Sequence, residues 1–186
     1  EITGDRELLD RMIVFTDWML AARNHPQTGV IVWTGERERV WPNSVSPDGK
    51  PVYSATENGD VVGHIAYAAS LMLGNDGLRD TKIAGGDALG FGATYRDRAV
   101  RYVRGMDRTC DSFILKWLVQ PGTQRYFFPE SPLFLPSTAR GKPVPWNQQM
   151  MLNNGFQRLA ECHRLLGDDP ARAGRYDAIV KASVDW

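Results

Sequence analysis

The chain has 186 residues, 42% hydrophobic and 24% charged, which suits one globular domain, or one part of a larger one, and excludes a disordered segment. Its 22 Lys and Arg balance 22 Asp and Glu, so the basic excess expected of a nucleic-acid binder is lacking. No apolar run approaches the ~20 residues of a membrane span.

Two cysteines, Cys110 and Cys162, make no disulfide framework. Both fall at core positions of expected helices and read as buried free thiols, with a bridge between them left open. No Cys/His spacing matches a structural zinc site. The chain opens on Glu1 and carries no signal-peptide pattern, which reads as a processed chain or a piece of a longer one.

The first helix is expected from Asp5 to Arg23, with Leu8, Met12, Phe15, Met19 and Ala22 as one apolar stripe. Asp5 caps it, Glu7 lies in its first turn, and Asn24, Pro26 and Gly29 end it. A loop region from His25 to Gly59 follows. In it, Val30-Ile31-Val32-Trp33 and Val40-Trp41 suggest a small β-hairpin across Thr34-Gly35, and Pro42, Pro47 and Pro51 break regular structure. The second helix, Asp60 to Leu73, is apolar on nearly every side and so reads as buried, with Gly74 as its stop. The glycine-rich connector from Gly74 to Gly92 lacks Gly-Lys-Ser/Thr and has no strand leading into it, so neither a phosphate loop nor a dinucleotide fingerprint is expected.

The third helix spans Thr94 to Val119. Tyr95, Ala99, Tyr102, Met106, Cys110, Phe113 and Trp117 line one side. Arg96, Arg98, Arg101, Arg104 and Arg108 lie elsewhere and read as a solvated face. Six of the eleven prolines fall between Pro121 and Pro145, a long aromatic loop of the kind that usually carries function. Asn147 to Leu166 forms the fourth helix, stopped by Gly167. Asp169 caps the fifth, Pro170 takes its first position, and it runs to Trp186.

The two ends repeat one another. Thr3-Gly4-Asp5 precedes a helix with Leu9-Asp10 and Asp17-Trp18. Leu166-Gly167-Asp168 precedes one with Tyr176-Asp177 and Asp185-Trp186. Repeated helix pairs indicate a solenoid or a closed α/α ring. At about 35–45 residues per pair, the chain holds roughly four pairs, one incomplete. The expectation is a single all-α domain over residues 1–186, an α/α toroid-like array of helical hairpins with long loops and a small β-hairpin. It would be an open ring or a segment of a larger toroid.

Several residues could carry chemistry. His64, in the first turn of the buried helix, reads as a neutral imidazole able to act as a base, or as a hydrogen-bonded core histidine. His163, on a core stripe, reads as structural. Asn147-Gln148-Gln149 opens a helix with three amides, a setting that favours an anion; Asn147 as a plain N-cap is the other reading. Arg125 and Arg140 could clamp a carboxylate, and Tyr126 could pass a proton or simply pack against Phe127 and Phe128. Trp33, Trp41 and Trp146 could stack on sugars or plug a core.

Val144-Pro145-Trp146-Asn147-Gln148-Gln149, Leu159, Leu165-Leu166-Gly167-Asp168 and Tyr176-Asp177 resemble α/α-toroid enzymes acting on polyuronates. Trp33-Thr34-Gly35, Val40-Trp41-Pro42 and Glu57-Asn58-Gly59 leading into His64 are similar too. Polysaccharide lyase family 38 is the closest resemblance, and the glucuronyl C5-epimerases share parts of it. It implies β-elimination on a 1,4-linked uronic acid of alginate or glucuronan type. It also implies an acidic poly- or oligosaccharide as partner, no cofactor or metal, and a secreted or periplasmic setting. The C5 proton beside a carboxylate is barely acidic, so amides, imidazole or Arg must first neutralise that carboxylate. On this reading Asn58, Arg125, Asn147 and Gln148 neutralise it, with Arg140 and Trp33 also binding substrate. Tyr126 is the acid/base with Tyr53 in reserve, and His64 is a second base or neutraliser. The rivals are a glycoside hydrolase using two of Glu57, Asp60, Asp87 and Glu130, a uronyl epimerase, and a non-catalytic carbohydrate-binding module.

Overall fold

The computed structural model describes residues 5–43 and 52–185, and helices dominate them. Local chemistry accounts for their ends. Asp5 caps α1 (Arg6–Ala21) by accepting the Glu7 N–H at 2.9 Å. α2 (Glu57–Leu73) stops at Gly74. α3 (Tyr95–Thr109) opens in a capping box, in which Thr94 accepts the Asp97 N–H at 3.1 Å and the Asp97 carboxylate reaches back. A π-turn, Cys110–Ile114, and a short α4 (Leu115–Trp117) prolong it. α5 (Trp146–Leu166) ends on Gly167 in the left-handed region at φ 65°. Asp169 then caps α6 (Pro170–Val184) through the Arg172 N–H at 2.9 Å. The protein is all-α, and among the described residues extended pairing consists of isolated bridges.

α2 and α5 form the centre and run parallel. Contacts advance in step along both, Thr56 with Gln148, Gly59 with Leu152, Val62 with Gly155 and Ala66 with Cys162. The backbones almost touch. A Cβ on Gly59 would stand 2.6 Å from Leu152 Cα, and one on Gly155 2.8 Å from the Gly59 carbonyl oxygen. Only hydrogen fits there, so the crossing demands glycine for closeness rather than for turn geometry. α6 folds back along α5, where Ser183 donates to Gln149 at 2.8 Å and Arg164 pairs with Asp177.

α1 lies parallel to α3 and corrects the expected orientation of its stripe. Ile13, Thr16, Asp17 and Leu20 are the buried residues, whereas Leu8, Phe15 and Met19 face solvent; Phe15 is 73% exposed and Trp18 63%. Polar anchoring decided this. Asp17 accepts from Tyr102 at 2.5 Å and pairs with Arg98, while Leu20 rests on Gly105. Arg98 therefore leaves the solvated face expected for it. It is buried, and its guanidinium also reaches Asp87 at 3.1 Å and the Gly92 carbonyl at 2.7 Å, which ties the glycine-rich connector down.

The expected hairpin does not form. Val32 pairs with Val52 in a parallel bridge, because the Val40 carbonyl is taken by the Asn24 N–H at 2.8 Å. The proline-rich loop folds on itself through the bridges Val119 to Tyr126 and Phe127 to Pro143, and its rings plug the core. Phe134 meets Trp33 at 5.1 Å and Phe128 at 5.3 Å. Cys110 and Cys162 are buried free thiols. Of the expected features, Thr3-Gly4, Pro47, Pro51 and Trp186 lie outside the described residues.

Candidate functional site

Burial removes several expected site residues. Tyr126 is fully buried, its hydroxyl donates to Asn153 at 2.8 Å, and its ring stacks on Phe156. Burial pushes that hydroxyl far above the usual tyrosine range, so it has neither a proton to give easily nor a path to a saccharide. Trp33 is equally buried and donates to the Ser54 carbonyl at 2.5 Å, so it is a core plug rather than a sugar platform. Asn58, also buried, latches a loop: it accepts the Trp41 N–H at 2.8 Å and donates to Ser54 at 2.7 Å. Arg140 donates to the carbonyls of Phe134, at 2.7 Å, and Pro132. Arg125 lies half-buried in the turn that the Val119–Tyr126 bridge closes.

The three amides of α5 divide. Gln149 is buried against the Val144 carbonyl and Ser183. Gln148 accepts from the Thr56 hydroxyl at 3.1 Å. Asn147 is exposed and is the second helical residue, not the cap, which is Pro145. His163 is buried between Asp168 at 2.8 Å and Asp107 at 3.3 Å. Burial alone would lower its pKa, but these two carboxylates outweigh that and raise it.

His64, like Asn147, meets water. α2 begins at Glu57 rather than Asp60, so His64 sits beyond the first two turns, and the argument from helix-end N–H groups no longer applies to it. Its side chain is 68% exposed, with Nε2 3.7 Å from an Asp60 carboxylate oxygen. Asp60, His64 and Tyr67 recur at four and three along α2 and share one face. The parallel α5 brings Asn154 against Gly63 and Arg158 over Tyr67. The register is fixed by contact. A Cβ on Gly63 would lie 2.2 Å from Asn154 Nδ2, so the amide lies across the glycine. The Arg158 guanidinium sits 4.5 Å over the Tyr67 ring and pairs with Glu161 at 3.1 Å. The result is an open strip carrying an imidazole, a phenol, an amide and a guanidinium.

Tyr67, Asn154 and Arg158 escaped the sequence reading. The available signal was Gly59-Asp-Val-Val-Gly63, two glycines four apart on one helical face, a pattern that lets another helix come close. At the N-terminal end of the strip, Glu57 accepts the Ala55 N–H at 2.7 Å, and burial raises its pKa; burial and the Glu57 charge raise the pKa of half-buried Tyr53. Of the four carboxylates named for a hydrolase, Asp87 serves Arg98 and the connector and Glu57 accepts from a backbone turn. A cavity of about 700 Å³ lies at the other end of α2 between Arg6, Leu9, Ser70 and Leu78, away from these groups. Compared with family models, curated proteins and solved structures, the chain matches none.

Proposed function

We propose that the α2/α5 strip binds a 1,4-linked polyuronate and cleaves it by β-elimination. The observation that carries this reading is the exposed His64–Asp60 pair lying beside Tyr67, Asn154 and Arg158 on two helices whose register is locked by glycine contacts. An open strip suits a polymer, which must enter sideways, better than an enclosed pocket would. Arg158 and Asn154, with Asn147 and Gln148 toward the helix starts, neutralise the uronate carboxylate by charge-assisted hydrogen bonds. His64 takes the C5 proton, and the Asp60 carboxylate stabilises the imidazolium that forms. The C5–H electron pair becomes the C4=C5 double bond, the C4–O4 bond breaks, and the Tyr67 hydroxyl protonates the departing O4. Tyr126 has no part in this scheme.

The parallel α2 and α5 are then inner helices of an α/α toroid-type array, with α6 returning along the outside. An acidic polysaccharide as substrate accords with a secreted or periplasmic setting. The test is incubation of the protein with alginate, glucuronan and hyaluronan while ultraviolet absorbance of the unsaturated product is followed. At least one should be cleaved, and His64→Ala should lower the rate by ~100-fold or more. New reducing ends without absorbance would replace the lyase reading with a hydrolase, and no cleavage of any polyuronate would overturn it.

A further inference from the structure

Four arginines from three parts of the chain converge on a second pocket. Arg23 follows the end of α1, Arg39 comes from the next loop, and Arg101 and Arg108 stand two turns apart on α3. With Phe91 and His25 they line a cavity of about 240 Å³. Among the described residues, no Asp or Glu pairs with any of the four. Arg79, Arg96, Arg98, Arg158, Arg164 and Arg172 each have such a partner. The chain as a whole is neutral, so this is a local concentration of charge and not a general basic excess.

The cluster is also held in place. Arg23 donates to the Gly105 carbonyl at 2.5 Å and to Thr109 at 3.1 Å, and its guanidinium lies 5.9 Å from the Trp41 ring centre. Arg101 stacks 5.0 Å over Phe91. Burial, then the charges of Arg39, Arg108 and Arg101, pull Arg23 down to about 10, as expected of a cation lacking a counter-charge. Uncompensated like charges cost folding stability, and a bound anion removes that cost.

We propose that this pocket binds a small, doubly charged oxyanion of the phosphate type, held by Arg23, Arg39, Arg101 and Arg108 with Phe91 as an apolar wall. Planar guanidinium forks match the oxygens of such a group. The volume falls below the ~300 Å³ at which pockets begin to take drug-sized ligands, so the occupant is free phosphate or the phosphate end of a small monoester. Four cations favour two charges over one. An additional charge-assisted hydrogen bond corresponds to about tenfold or more in affinity, so a single carboxylate is the weaker ligand.

Titration calorimetry on the whole chain tests this with inorganic phosphate, a sugar monophosphate, glucuronate and a glucuronan oligomer at constant ionic strength. Phosphate should bind saturably at one site per chain, and glucuronate about tenfold more weakly or worse. Tighter binding of the monophosphate than of free phosphate would identify an ester as the occupant, and the reverse would identify the free ion. Arg101→Gln/Arg108→Gln should weaken binding at least tenfold while raising the melting temperature of the unliganded protein, because repulsion is relieved. Arg104→Gln is the control. It lies on the same exposed stripe but does not line the pocket, and it should leave binding unchanged. Absence of saturable phosphate binding, equal loss in Arg104→Gln, or tighter binding of the glucuronan oligomer than of either phosphate would each overturn the proposal.

Discussion

Replacing Gly59 with Ala probes the backbone-to-backbone crossing of α2 and α5. The new methyl would stand 2.6 Å from Leu152 Cα and 2.7 Å from both the Leu152 nitrogen and the Met151 carbonyl oxygen. All three are backbone atoms, so no rotamer change relieves them. Ordinary carbon contacts begin near 3.5 Å, and α2 and α5 must therefore part by roughly 1 Å. Overpacking costs about 1–3 kcal/mol, and rigid backbone on the far side places this case near about 3. Alanine's better helix propensity offsets about 1 kcal/mol, which leaves a net loss of about 2. For a domain of this size that lowers the melting temperature by about 4–8 °C. Gly174 in α6 is the matched control, being helical, exposed and free of neighbours within 4 Å. Gly174→Ala should gain about 1 kcal/mol and melt about 2–4 °C higher. Thermal melts followed by circular dichroism compare the two. Since both substitutions carry the same propensity change, opposite signs report the helix crossing alone. A Gly59→Ala protein that melts at or above the parent would show that α2 and α5 do not approach as described.

Arg98→Met should cost about 3–5 kcal/mol, because it strands the buried Asp17 carboxylate; adding Asp17→Asn should recover part of that loss, and a double variant no better than the single one would contradict the pairing. Tyr126→Phe should cost only about 1 kcal/mol in urea unfolding, for one lost hydrogen bond, and leave any lyase rate intact. The raised pKa of His163 sets a pH dependence. The folded protein holds the imidazolium more tightly than the unfolded chain, whose value is about 6.5, so this contribution is complete below that pH and is lost as pH rises through the higher folded value. Urea midpoints of the parent should fall across that range. Those of His163→Gln should start lower and change less, and parallel profiles for the two proteins would remove His163 as the cause.

Helix positions were legible because they depend on neighbours a few residues away. Asp5, Asp169 and Pro170, Gly74 and Gly167 mark starts and stops through hydrogen bonds and backbone angles that need no distant partner. The all-α class follows from those local signals. Orientation was not legible in the same way. A spacing of three and four places Leu8, Met12, Phe15 and Met19 on one face of α1, but says nothing about where that face points. The face that carries Asp17 turns inward, where the carboxylate pairs with Arg98 and accepts from Tyr102, and Phe15 is left in solvent.

The candidate site shows the same division. His64 and Asn147 could be nominated from residue type and position, and both meet water. Tyr126 could be nominated on equal grounds, yet the fold of the proline-rich loop sealed it against Phe156. The pairing of Tyr67 with Arg158, and the convergence of Arg23 and Arg39 on α3, join residues more than 60 positions apart. Local sequence supplied the helices and the chemical groups, because caps and periodicity act within a turn or two. Tertiary packing decided which groups meet, which face solvent and which lose access to it, because those outcomes depend on backbones brought together at Gly59 and Gly155 from distant parts of the chain.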